Sequence, residues 1–171
     1  MFRSLLLSIA LMGATPVFAQ EEAMTADRLI SIIVDLDPSA QPTPAGIELT
    51  LEDIPVLVVF APGADRMRAM VPIAAVEDVT PEEMNRMMQA NFDTALDARY
   101  AVAQGRVWGV FIHPLAALER EQFISGLAQT VNLARTYGTL YSGGANVFGQ
   151  GDSAQIYQEL FEDLIGRGQD I

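Results

Sequence analysis

Chemistry in this chain rests on carboxylates and a single histidine. The 171 residues hold no cysteine, one histidine, ten arginines, no lysine and 22 acidic residues. Zero cysteine excludes thiol nucleophiles, disulfides, Cys-ligated zinc and iron–sulfur clusters together. His113 ends an apolar run just before Pro114, with no carboxylate motif beside it, so it reads as structural rather than as a metal ligand or general base. No serine sits in a Gly-x-Ser-x-Gly elbow. Asp35-Leu36-Asp37 opens like a calcium loop, but the required glycine is Ala40 and the closing glutamate is Gly46. The glycine-rich stretch from Ser142 to Gly151 has no lysine after it to make a P-loop. No strand leads into it as a dinucleotide fingerprint needs. We therefore expect no catalytic residue, no metal ligand and no cofactor. One alternative stays open: a small-ligand site or carboxylate-based enzyme, if a pocket gathers several of Asp65, Asp93, Asp97 and Arg99.

Residues that could bind a partner stand out more clearly. Ile156, Tyr157, Leu160, Phe161, Leu164 and Ile165 fall at helical spacing near the end of the chain. Such a stripe must be covered, either by its own domain or by another protein. Arg66 and Arg68 lie two apart, so they share one face of a strand; they read first as exposed arginines on a solvated sheet face, and second as a grip for an acidic segment. Met67, Met70, Met84, Met87 and Met88 read first as core, and second as an adaptable groove. A formal charge of −12 argues against nucleic acid, since phosphate affinity needs clustered cations. The polar side of the last helix, Gln158, Glu159, Glu162 and Asp163, is acidic, which disfavours insertion into an anionic membrane.

Residues 1–19 have the form of a cleavable signal peptide. Arg3 is the positive end, Leu5 to Met12 the apolar stretch, and Val17-Phe18-Ala19 the small-residue cleavage site. Cleavage after Ala19 gives a periplasmic or secreted protein. The expected divisions are then a domain over 20–141, a glycine-rich linker over 142–151 and an amphipathic helix over 152–171.

The elements that position these residues follow from periodicity. A helix is expected from about Thr25 to Leu36, capped by Thr25 or Asp27 and ended by Asp37-Pro38. Strands are expected at Ile47–Glu52, Val56–Phe60 and Arg66–Val76, the last bent or ended near Pro72, with loops short enough for an antiparallel meander. Thr80-Pro81-Glu82-Glu83 is a capping box before a helix running to about Asp97. One stripe of that helix is Met84, Met87, Met88, Asn91, Phe92, Ala95 and Leu96. Arg99–Ala103 and Val107–Ile112 flank Gln104-Gly105 as a hairpin. Pro114 is expected to open a long helix to about Tyr137, with Gly138 as its cap. Connections this short exclude parallel crossovers between most strands. The fold class is α+β, an antiparallel sheet of about five strands with helices packed on it.

That order, helix–β–β–β–helix–β–β–helix, resembles the type III secretion chaperone-like fold. Asp65-Arg66-Met67-Arg68-Ala69-Met70-Val71-Pro72-Ile73 resembles the third strand of YbjN-like members. Asn91-Phe92, Ala98-Arg99-Tyr100-Ala101 with Trp108, and a last helix starting at Leu115 are similar too. The resemblance covers about Met24 to Tyr141. It implies a small acidic, often homodimeric, non-enzymatic domain that binds another polypeptide. Secretion chaperones of this fold act in the cytosol, whereas this chain carries a leader, so the fold can carry over without the job.

Overall fold

The computed structural model describes residues 22–93, 95–137 and 154–167. The leader expected over 1–19, the linker expected over 142–151 and the cap expected at Gly138 lie outside the described residues.

Helix α1 (Ala26–Leu36) starts where Thr25 Oγ1 accepts the Arg28 N–H at 3.2 Å. Leu29, Ile32, Ile33 and Leu36 form its buried stripe. Strands β1 (Gln41–Thr43), β2 (Gly46–Leu51), β3 (Ile54–Ala61) and β4 (Arg66–Ala75) make an antiparallel meander. Helix α2 (Pro81–Asp93) leads to the hairpin of β5 (Arg99–Ala103) and β6 (Arg106–His113). Helix α3 (Arg120–Thr136) and helix α4 (Ala154–Arg167) follow. Strand order is β1-β2-β3-β4-β6-β5, with every pairing antiparallel. The fold is thus α+β with helices on an antiparallel sheet.

The sheet has six strands, one more than expected. The extra strand, β1, lies in the proline-rich stretch and carries Pro42, a residue an edge strand tolerates because one of its sides needs no donor. The predicted bend in β4 is a bulge, where the register slips between Pro72 and Ala74. Helix α3 starts at Arg120, not Pro114. Residues 114–119 form a turn pinned to distant chain: Ala116 N–H donates to Asp65 Oδ1 at 2.7 Å, and Met24 N–H to Ala116 O. Leu115 and Leu118 are buried in that turn, so its apolar spacing imitated a helix. Helix α2 ends at Asp93 rather than near Asp97, and its expected stripe divides. Met87 is buried, whereas Met88 and Phe92 are exposed.

Helix α3 lies across β3, β4, β5 and β6, with α4 against it on the other side. Two glycines set the approach of helix to sheet. A Cβ on Gly126 would clash with the Phe111 ring, and one on Gly109 would lie 3.1 Å from Thr130 O. Both free sheet edges are blunted by side chains. Asp37 Oδ2 accepts from Thr50 N–H at 2.8 Å on the β2 side. Asn91 acts as a short strand on the β5 side. Its Nδ2 donates to Tyr100 O at 3.0 Å and its Oδ1 accepts from Tyr100 N–H at 2.8 Å. The Asp37 carboxyl is pushed up by partial burial, but the bonds from Ser39 and Thr50 outweigh that and hold it below its usual range.

Candidate open sheet face

Strand alternation gives the sheet two unlike sides. Leu49, Leu51, Val56, Val58, Met67, Ala69, Val71, Val107 and Phe111 face the helices and are buried. The opposite residues are half-buried or exposed. Register places Glu48, Leu57, Met70, Val110 and Arg99 in one row across five strands. Adjacent rows run Val59–Arg68–Ile112 and Pro72–Trp108–Ala101. Ile112 is 53% exposed. Trp108 lies along this face, its Nε1–H donating to Ala103 O at 3.1 Å. A shallow groove of about 410 Å³ lies at one end, between Val59, Arg66, Arg68, Met70 and Ile112.

Charge on this face differs from that of the whole chain. Arg66, Arg68 and Arg106 belong to it by strand parity, against one acid, Glu48; Arg99 shares that parity at the margin, where it also lines a cleft with Asp97, Glu119 and Glu121. Among the described residues none of these four arginines makes an ion pair; Arg66 and Arg99 bond only to nearby carbonyl oxygens. On the helical side, Arg120 pairs with Asp35, Arg135 with Glu52, and Arg167 with both Glu52 and Asp163.

The other expected contact residues lie elsewhere. Leu160 and Leu164 of α4 are buried within the chain's own core, and Tyr157, Phe161 and Ile165 pack partly buried against it. Tyr157 and Phe161 stack at 5.9 Å, and the Tyr157 hydroxyl lies 2.9 Å from Ser125 Oγ. The Ile156 side chain lies outside the described residues. Burying a leucine contributes about 1.5–3 kcal/mol, so lifting α4 away from α3 costs several kcal/mol. Of the five methionines, Met67 and Met87 are core, Met84 packs against the core, Met70 lies on the open face and Met88 is exposed.

The mixed cluster is half gathered. Asp97, Arg99, His113, Glu119, Glu121 and Gln122 line a polar cleft of about 530 Å³ at the start of α3. Asp65 lies apart, bonded to Ala116, and the Asp93 side chain lies outside the described residues. His113 Nδ1 contacts Pro114 O at 2.8 Å, and its ring stacks on Phe111. Gln129, which no motif or spacing singled out, builds the wall. Its Oε1 accepts from Asp97 N–H at 2.7 Å and Ala98 N–H at 2.9 Å. Its Nε2 donates to Asp97 Oδ2 and Ser125 Oγ. Two of the cleft's carboxylates therefore serve the fold: Asp97 takes this bond, and Glu119 caps α3 with Gln122. Among the described residues no three ligating side chains converge on a metal position, and no helix is long and apolar enough to cross a membrane.

No family model and no curated protein matches the sequence. Solved structures do match by shape. A chain of the HopA1–SchA chaperone–effector complex superposes with a TM-score of 0.50 at 8% identity, covering 64% of this chain and 92% of that one. A chain of the ExsC–ExsE complex superposes with a TM-score of 0.50 at 14% identity, covering 66% and 95%. At such identities the likeness is one of fold.

Proposed function

We propose that this chain is a non-enzymatic, chaperone-like protein-binding module whose partner lies on the open sheet face. The carrying observation is the cross-strand row Leu57–Met70–Val110, apolar on a face that no described helix buries. The fold likeness to chains of chaperone–effector complexes supports the same class of role. In this reading Arg66 and Arg68 face the partner, while the α4 stripe closes the chain's own domain. A homodimer, if it forms, uses another surface, because two arginine-bearing faces repel; light scattering at micromolar concentration reads its mass. We also propose export through residues 1–19, as an exported relative of YbjN-like proteins. Cell fractionation of tagged chains with and without the leader tests that point.

The test of binding is selection of displayed random 20-residue peptides on the full chain. Enriched peptides should bind the wild type and lose at least tenfold on Met70→Asp, while the melting temperature holds. No enriched peptide, or peptides indifferent to Met70→Asp, overturns the reading. The cleft around His113 favours a second reading, a small-ligand site. A thermal-shift ligand screen, repeated on His113→Ala, decides it: a shift lost in the variant supports the site, and no shift removes it.

A further inference from the structure

Resting on the protein-binding reading, we infer that the open face takes an amphipathic acidic helix from the partner. Charge, shape and main-chain satisfaction each bear on this. Four arginines without an ion pair among the described residues stand at the margins of an apolar field. Arg66 and Arg68 are at the start of β4, Arg99 is at the β5 margin, and Arg106 is at the start of β6. Leu57, Met70, Pro72, Val110 and Trp108 fill the space between. On a chain with a net charge of −12, a face carrying Arg66, Arg68 and Arg106 against the one strand carboxylate Glu48, with Arg99 at the margin toward the cleft, is the complement of an anionic partner.

Shape selects the kind of segment. The field spans β3, β4, β6 and β5, about 14 Å wide at the usual strand spacing, and about 20 Å long from Ile112 to Arg106. A helix is about 10 Å across and covers 20 Å with about 13 residues. The strands beneath are paired on both sides, except β5 at the margin. An incoming extended strand finds no free main chain in the middle of the field, whereas a helix satisfies its own and offers only side chains. A second copy presenting the same face would set arginine against arginine.

The test uses the full chain and two designed 18-residue helical peptides. Both carry leucine on one face; the other face is glutamate in one and lysine in the other. The acidic peptide should bind at least about tenfold more tightly and weaken with salt, at a few-fold for each exposed pair. Arg68→Glu with Arg106→Glu should reverse the preference. Equal binding of both peptides overturns the inference and leaves the protein-binding reading standing. So does failure of both when selected peptides of other composition bind. Failure of every peptide removes both. Binding to phosphatidylglycerol vesicles in place of peptide overturns the inference in favour of a lipid surface. A dimer that Arg68→Glu/Arg106→Glu dissociates overturns it in favour of a second copy.

Discussion

Replacing Gln129 with leucine should cost about 2–4 kcal/mol of folding stability. The figure follows from what the amide leaves behind. Gln129 is 6% exposed, and its oxygen is the acceptor given to both Asp97 N–H and Ala98 N–H. Ala98 is 1% exposed, so its amide cannot turn to water and bears a desolvation penalty of about 1–3 kcal/mol. Asp97 is exposed, so water recovers most of its bond, and the loss there is nearer 0.5–1.5 kcal/mol, about the net worth of one hydrogen bond. Leucine has nearly the same volume, so no cavity term enters. Urea unfolding followed by circular dichroism measures the change, with the slope unchanged if the two states are otherwise the same. Since Gln129 fixes the chain just before β5, amide exchange should quicken in Arg99–Ala103 more than in β3. A loss below about 1 kcal/mol would refute the assignment of Gln129 as the tie between α3 and the loop before β5.

Gly126→Ala should destabilise by about 1–3 kcal/mol, because the added methyl meets the buried Phe111 ring and the strain exceeds the gain in helix propensity; an unchanged or raised melting temperature contradicts this. Burial pushes the Tyr100 hydroxyl up from 10.0 to about 12. The folded chain therefore keeps that proton after the unfolded chain loses it, and stability falls by about 2–3 kcal/mol as pH rises from 10 to 12. Tyr100→Phe should flatten that limb. Asp37 works in the opposite sense: its contribution is present above pH 3.8 and is lost as pH falls through its lower folded value. Asp37→Asn should flatten the acid limb in melting curves taken from pH 5 to 2. Met70→Asp should leave the melting temperature nearly unchanged, because the side chain lies on the open face; a large fall would mean the face is covered.

Local signals in the sequence carried most of the fold. The Thr80 capping box is present, with Thr80 N–H bonded to Glu83 Oε2 at 2.8 Å and Glu83 N–H to Thr80 Oγ1 at 3.2 Å. The hairpin at Gln104-Gly105 is present with the expected pairing. Strand β1 was not legible, since three residues around a proline have too little pattern to register. The helix expected from Pro114 starts only at Arg120, because Asp65 and Met24 bond to Ala116 across the chain, and no local pattern encodes such long-range bonds. Strand alternation divides β6 into two sides, but which one the helices cover depends on where α3 packs. Gln129 was hidden for the same reason. Helix α3 lies between the sheet and α4, so Gln129, Thr130 and Asn132 are buried where their polarity implies solvent.

The central claim is that the open face is where a partner sits, and Trp108, the chain's single tryptophan, lies on it. Titrating the full chain with the glutamate-faced peptide while reading tryptophan emission tests the claim most directly. A saturable blue shift, abolished by Met70→Asp and weakened by salt, is the predicted result. Binding seen by calorimetry with no change in Trp108 emission would place the partner elsewhere and contradict the account.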